Sequence, residues 1–170
     1  VDPGTFVELD VFVDGAVTGH GKVEGRDVYL FSEDGEAAPE SLDLVYTRKM
    51  VKIVDLAMKN GAPLVGLYDC GARARGSAAG GAPPLGGYAE LFFRNVMASG
   101  VVPQIAAVLG PCAGAAVYSP ALMDLTIMVK GASHLYLGDP GASPDADEAG
   151  MAVEELGGAR THAEQSGVAH

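Results

Sequence analysis

The chain has 170 residues, and its 11 basic and 22 acidic side chains give a formal charge of −11. This length suits one domain with a real core, and the acidic balance argues against nucleic-acid binding, because phosphate neutralisation needs a basic face. Glycine (24) and alanine (26) are abundant, yet 48% of the residues are hydrophobic. This composition indicates close backbone packing and tight turns rather than disorder.

Two cysteines, Cys70 and Cys112, are too few for a disulfide framework or a four-cysteine zinc site. They favour a reducing compartment, and we expect a cytoplasmic protein. The chain opens on a polar, turn-like segment without a signal peptide or an initiator methionine, which favours an excised or incomplete fragment. Residues 105–123 carry no charge, but Gly110-Pro111 and Ser119-Pro120 interrupt them, so a buried strand, turn and helix are favoured over a membrane span.

The first half of the chain alternates strand and helix patterns. Strands are predicted at residues 6–9 and 11–13, before a turn at Asp14-Gly15. Residues 16–22 and 26–32 flank a turn at residues 23–25 and predict a β-hairpin. A helix is predicted from an N-cap at Ser41 to Asn60, with Gly61 at its stop, and residues 64–68 predict a buried strand.

Residues 71–87 hold six glycines and five alanines and predict a long loop, a type that is usually functional or mobile. Helices are predicted at 88–99, 114–121 and 147–156, and strands at 101–109, 125–129 and 134–137. The alternation of strands and helices indicates an α/β layered domain.

Two strand ends have the composition of an anion site. The strand ending near Leu109 runs through Gly110-Pro111 into a helix that opens with small residues around Gly114 and Ala115. Backbone N–H groups at such a helix start are free to hold an anion or a developing oxyanion, although close helix–strand packing also selects small residues. The earlier strand end at Tyr68 is followed by Gly71 and Ala72, and two such turns meeting in space would form a two-donor oxyanion hole.

Several long motifs carry a resemblance to a known family. These motifs are residues 18–26, 61–67, 94–105, 110–114, 117–122 and 155–162. On them, and over nearly its whole length, the chain resembles the carboxyltransferase (β) subunit of acyl-CoA carboxylases, those acting on propionyl-CoA most closely.

The resemblance implies the crotonase-like (Clp-protease-like) fold, a superhelix of stacked β-β-α units. Residues 1–170 would form a single domain, most of the N-terminal of two such domains, which binds acyl-CoA. The C-terminal domain, which completes the biotin site, is absent from this chain. In this family CO₂ passes from carboxybiotin to the α-carbon of an acyl-CoA through a thioester enolate. Backbone amides suffice to hold that enolate, and no side-chain base is demanded.

The resemblance also assigns residues and partners. The amides of Gly114 and Ala115 would stabilise the enolate oxygen, with Gly71 and Ala72 as a second oxyanion turn. The expected substrate-contacting residues are Cys70, Arg73, Cys112 and Ala113, and no metal site is expected. The expected partners are an acyl-CoA, a biotin carboxyl carrier protein or domain that bears the biotin, the C-terminal carboxyltransferase domain and further copies of the chain. No nucleic acid, no membrane and no cofactor attached covalently to this chain are expected.

Two departures from the family pattern stand out. Ala115 replaces a glycine, a mild change because alanine still donates its amide. After the strand, the family typically reads Asp-Ser-Gly-Gly-Ala-Arg, whereas this chain has Cys70 in place of the serine and an altered Ala/Gly/Pro stretch beyond it. Because that loop helps wall the acyl pocket, two alternatives stay open: a non-catalytic assembly relative that has lost the pocket, and a biotin-independent malonyl- or methylmalonyl-CoA decarboxylase.

Other candidates are weaker. The chain has no Gly-x-Ser-x-Gly elbow for a serine hydrolase, and its four histidines lack metal-ligand spacing. Cys70 and Cys112 fit small packing residues better than nucleophiles. Arg48, Lys49 and Lys52 are candidates for contacts with CoA phosphates, but such a charged helix face is usually only solvated.

Overall fold

The computed structural model describes residues 1–33, 35, 43–71, 85–137 and 153–170. Within them, six strands form one sheet in the order β1-β2-β3-β4-β5-β7, and β6 and β8 form a small parallel pair. The strands are β1 (Val7–Leu9), β2 (Ala16–Val23), β3 (Arg26–Glu33), β4 (Leu64–Tyr68), β5 (Gln104–Val108), β6 (Pro111–Ala113), β7 (Leu125–Met128) and β8 (His134–Tyr136). The α/β expectation is therefore confirmed.

The antiparallel half of the sheet is the predicted hairpin with one further edge strand. β2 and β3 pair from Ala16 opposite Glu33 to Val23 opposite Arg26. Glu24 and Gly25 turn the chain, both with positive φ (50° and 77°), as a two-residue hairpin turn with right-handed strand twist requires. The carboxylate of Asp2 accepts both turn amides at 3.0 and 2.9 Å.

The predicted strand at residues 11–13 is wrong. Asp10 has a φ of 56°, and the amide of Val13 donates to the Asp10 carbonyl at 3.0 Å. The chain must reverse here, because β1 and β2 are antiparallel neighbours. As a result, Phe12 lies on the outside of this turn and is 97% exposed.

The parallel half carries the two long helices. β3, β4, β5 and β7 are parallel neighbours, connected by α1 (Asp43–Asn60) and α2 (Leu85–Ala98). α1 ends as predicted at Gly61, whose φ is 64°, while its predicted N-cap Ser41 lies outside the described residues. α2 begins at Leu85, three residues before the predicted Tyr88. Gly87, in its first turn, lies where α1 and α2 approach closely. A Cβ at that position would lie 3.1 Å from Thr47 Cβ.

The core lies between this helix pair and the sheet. Alternate residues of β4 and β5 are buried on one face, and Phe31 packs edge-on against Tyr68 with ring centroids 5.3 Å apart. The largest fully buried side chains that α1 and α2 contribute are Tyr46, Met50, Ile53, Val54, Leu91 and Asn95. Burial on one face explains the period-2 and period-3.6 patterns of the sequence.

The small sheet supports the C-terminal segment. Cys112 of β6 lies opposite Leu135 of β8. The segment that follows forms α4 (Val153–Gly157), α5 (Ala159–Thr161) and a π-helical turn (His162–Ser166). His162 Nε2 lies 2.8 Å from the Leu135 carbonyl, and His134 Nε2 lies 3.2 Å from Glu154 Oε2. The elements after Gly158 were not predicted, and residues 147–152 of the predicted helix lie outside the described part.

Residues 105–123 fold as predicted into separate short elements. They form β5, β6, a 3₁₀ turn (Gly114–Val117) and α3 (Tyr118–Leu122). Among the described residues, we find no helix that combines the length and apolar character needed to cross a membrane.

Candidate functional site

The carboxyl ends of β4 and β5 meet at one edge of the sheet. They are parallel neighbours, with Tyr68 opposite Val108. Just beyond them, the amides of Leu109 and Gly110 both donate to the Tyr68 carbonyl, at 2.8 and 3.4 Å. The two strand-end turns that the sequence singled out therefore lie side by side, at the edge of a parallel sheet where ligands commonly bind.

Glycines allow this close approach. A Cβ at Gly110 would lie 2.6 Å from the carboxyl carbon of Asp69, so only a glycine lets that carboxylate pack against the turn. Gly71 has a φ of 42°, and a Cβ there would lie 2.8 Å from the backbone of Gly35. The second turn is thus held between the end of β4 and the chain that leaves β3.

Cys70 and Cys112 join the two turns covalently. Their Cα atoms are 4.9 Å apart and their Sγ atoms form a disulfide. Both residues are buried, and the Cys70 sulfur also lies 3.2 Å from Glu33 Oε2 at the end of β3. Both cysteines are buried packing residues, as expected, but the bond between them was not predicted.

The predicted amide donors lie where β6 passes into the 3₁₀ turn. Ala113 is extended (φ −133°, ψ 160°), and Gly114 follows with a φ of 63°. Gly114 is partly exposed, whereas Ala113 and Ala115 are buried beside it. Ala113 and Ala115 are small residues whose methyl groups are buried beside this turn.

A buried hydrogen-bond network lies directly beneath these turns. The hydroxyl of Tyr68 is 2.8 Å from Ser119 Oγ, which donates to Asn95 Oδ1 at 2.9 Å. Asn95 Nδ2 donates to Gln104 Oε1 at 3.0 Å, and Gln104 Nε2 donates back to the Asn95 carbonyl at 3.0 Å. The network ties β4, α2, β5 and α3 together, because each contributes or adjoins one of these side chains.

Burial has one clear electrostatic consequence in this network. It raises the pKa of the Tyr68 hydroxyl well above its usual range, while the hydrogen bond to Ser119 acts in the opposite direction. Tyr68 is therefore a neutral hydrogen-bonding group at physiological pH. Its role beside the turns is to bond and to pack rather than to transfer a proton.

Six of the eight predicted site residues are described, and they gather in this region. They are Cys70, Gly71, Cys112, Ala113, Gly114 and Ala115. Ala72 and Arg73, together with most of the predicted loop, lie outside the described residues. Sequence reasoning missed Glu33 and the Tyr68 network, whose only sequence signal was the position of Glu33 and Tyr68 at strand ends.

The basic residues of α1 are placed differently from one another. Arg48 is exposed, but Lys49 is buried and its Nζ donates to the carbonyls of Val13 and Ala16. Lys52 pairs with Asp10 at 2.8 Å. Lys49 and Lys52 therefore both anchor the loop between β1 and β2, but only Lys49 is buried, and Lys52 stays exposed to solvent like Arg48. No group of three or more His, Cys, Asp or Glu within the described part of the chain is arranged to hold a metal ion.

Comparisons with known proteins identify the family of the chain. The model of the carboxyl transferase domain family matches residues 5–170. The propionyl-CoA carboxylase beta chain of Sus scrofa is 46% identical over 189 residues, covering 100% of this chain and 34% of that protein. The chain thus spans about a third of the length of the curated relatives it matches.

Solved structures show the same fold. A transcarboxylase 12S structure with methylmalonyl-coenzyme A and methylmalonic acid bound matches with a TM-score of 0.84 and 36% identity, covering 100% of this chain and 36% of that one. A Pseudomonas malonate decarboxylase hetero-dimer matches with a TM-score of 0.77 and 26% identity, covering 100% of this chain and 73% of that one. This likeness confirms the crotonase-like fold, and the family match extends over nearly every residue. The chain therefore belongs to the carboxyl transferase domain family.

Proposed function

We propose that residues 1–170 form the acyl-CoA-binding part of a biotin-dependent acyl-CoA carboxylase, which acts on propionyl-CoA or a similarly short acyl-CoA. The observation that carries the proposal is the contact between the ends of β4 and β5, where the amides of Leu109 and Gly110 donate to the Tyr68 carbonyl. The Cys70–Cys112 bond links the same region to the strand that leads into Gly114. The 46% identity to a propionyl-CoA carboxylase beta chain supports the choice of acyl group. In this proposal residues 1–170 are most of the N-terminal carboxyltransferase domain.

The chemistry needs an oxyanion site more than a reactive side chain. When the α-carbon of the thioester loses its proton, negative charge moves to the thioester oxygen. Amides of Gly114 and Ala115, together with those of Gly71 and Ala72, would donate to that oxygen and lower the energy of the enolate. Cys70, Arg73, Cys112 and Ala113 would line the acyl group, and the enolate carbon would then attack CO₂.

Biotin, carried on a partner protein, would supply the CO₂ next to the enolate and, once the CO₂ has left it, the base that takes up the α-proton. The small residues and amides of the described site fit one oxyanion, and we assign no residue of this chain to the biotin ring. We expect the C-terminal carboxyltransferase domain to provide that part of the site. Cytoplasmic localisation also stays a proposal, and the relative in Sus scrofa is a mitochondrial protein.

An exposed apolar face supports the proposed protein partners. Phe93, Val96 and Met97 on α2 are 56%, 57% and 53% exposed, and Val101 beyond the helix is 63% exposed. Clustered apolar side chains of this kind mark interaction surfaces. We propose that this face packs against the C-terminal domain or a further copy of the chain, in an oligomer that also receives the biotin carrier.

Ala115→Pro tests the amide assignment, since it removes one N–H from the turn. We expect kcat for carboxylation of propionyl-CoA to fall by about 10²–10³-fold, with a smaller change in KM. Ala115→Gly keeps the amide and is the matched control, with activity close to that of the unchanged protein. Equal activity of the two variants would contradict the assignment.

Two further assays distinguish the proposed function from the two alternatives. CO₂ release from methylmalonyl-CoA without the biotin carrier would identify a decarboxylase. A folded polypeptide that binds no acyl-CoA would identify a non-catalytic assembly relative. Both assays use the full-length protein.

A further inference from the structure

Cys70 and Cys112 lie in different turns of the site and are held at bonding distance by the fold. Cys70 follows β4, Cys112 belongs to β6, and their Cα atoms are 4.9 Å apart, within the span of about 4.4–6.8 Å that a disulfide bridges. β4 and β6 are each held in a sheet, so the pair stays close whether or not the sulfurs are bonded. Oxidation and reduction therefore need no rearrangement of the sheets.

The two sulfurs are not equivalent. Both residues are buried, with Cys70 1% and Cys112 0% exposed, so the difference between them lies in the groups that surround each sulfur. Glu33 Oε2 lies 3.2 Å from Cys70 Sγ, so a thiolate at Cys70 would face a carboxylate and is disfavoured relative to one at Cys112. A thiol at Cys70, by contrast, donates its S–H to that oxygen.

We propose that Cys70 and Cys112 form a reversible thiol–disulfide exchange site whose reactant is a low-molecular-weight thiol. The thiolate of that thiol attacks Cys70 Sγ, the disulfide breaks, and Cys112 leaves as a thiolate that takes up a proton. A second thiol attacks the mixed disulfide and releases Cys70 as a thiol, which donates to Glu33. In sum, two external thiols are oxidised to one external disulfide, and the protein disulfide is reduced to two thiols.

The bond governs how firmly the two turns are fixed to each other. Oxidised, it ties the Gly71 turn to the strand that enters the Gly114 turn; reduced, it leaves only packing and hydrogen bonds between them. When acyl-CoA binds the reduced form, part of the binding free energy is then used to order the two turns, which weakens the affinity by about 3–10-fold. This consequence rests on the proposed function, whereas the exchange reaction does not.

The exchange is tested by equilibrating the whole polypeptide in buffers of graded glutathione to glutathione disulfide ratio. After acid quenching and alkylation of free thiols, mass spectrometry of the digest measures the fraction of peptide linked through residues 70 and 112. We expect one reversible transition, completed over minutes to hours because both sulfurs are buried. A folded protein whose linked fraction stays the same at every ratio would overturn the proposal.

Two variants sharpen the test. Glu33→Gln removes the charge that opposes an incoming thiolate, so exchange should be at least about threefold faster. An unchanged rate would overturn the assigned order of attack.

Cys70→Ser, which restores the residue typical of the resembling family, should bind propionyl-CoA with the same affinity in reducing and in oxidising buffers. A redox-dependent affinity in Cys70→Ser would overturn the link between the bond and the site.

Calorimetry separates failure of this inference from failure of the proposed function. If propionyl-CoA binds neither redox form, the proposed function fails, while the mass-spectrometric result on exchange still stands. If propionyl-CoA binds both forms equally, the link to the site fails and the proposed function stands.

Discussion

The hydroxyl of Tyr68 shows how a single buried residue supports the site. It lies 2.8 Å from Ser119 Oγ, and the carbonyl of the same residue accepts the amides of Leu109 and Gly110. Tyr68 therefore holds the β5 turn through its backbone and α3 through its side chain. Its raised pKa reflects the burial that this double role requires.

Tyr68 should make the protein sensitive to alkaline pH. Its folded-state pKa lies above the unfolded value of 10.0, so the stability linked to its proton is fully present below about pH 10 and is lost as pH rises above it. Tyr68→Phe should lower the free energy of unfolding by about 1–2 kcal/mol at pH 7 and flatten the decline above pH 10. Urea titrations across that range measure both effects.

Tyr118→Phe is the control for this experiment, because Tyr118 is 46% exposed and leaves Tyr68 in place. It should keep the alkaline decline of the unchanged protein. A Tyr68→Phe variant with that same decline would show that Tyr68 does not contribute to it.

At the scale of elements, α2 is fixed to the sheet by a polar side chain within an apolar interface. Asn95 is fully buried, bonding Ser119 before β7 and Gln104 at the start of β5. A buried network of this kind is stabilising only when each member is paired. The network also fixes the position of α2 relative to the two turns.

Asn95→Ala should therefore destabilise the protein strongly. It leaves the side chains of Ser119 and Gln104 each without one partner, which should cost about 2–4 kcal/mol in the free energy of unfolding. Glu90→Ala is the matched control on the same helix, since Glu90 is exposed and loss of its surface ion pair with Arg94 should change stability by about 0.5 kcal/mol or less. Similar losses for the two variants in chemical denaturation would refute this role of Asn95.

Most elements could be predicted from the sequence, and the exceptions have physical causes. The hairpin, α1 and β4 follow from turn residues and burial patterns that are local. β6 was missed because Pro111-Cys112-Ala113 is short, and its pairing with β8 depends on contacts distant in sequence. Residues 11–13 have strand composition, but the reversal between β1 and β2 overrides it.

At the scale of the whole molecule, the sheet order places the site. Parallel pairing of β3, β4, β5 and β7 brings strand ends that are far apart in sequence to one edge. The position of the two turns could be proposed from glycine placement, but their contact and the Cys70–Cys112 bond depend on this order. Single-sequence patterns do not specify strand order, so only the resemblance predicted the architecture.

If the two turns form an acyl-CoA site, calorimetric titration of the full-length protein with propionyl-CoA should detect it. Free CoA is the control ligand, and a cooperative thermal transition establishes that the sample is folded. We predict binding that depends on the acyl group, with propionyl-CoA clearly tighter than free CoA. A folded protein that binds propionyl-CoA no more tightly than free CoA would contradict the account.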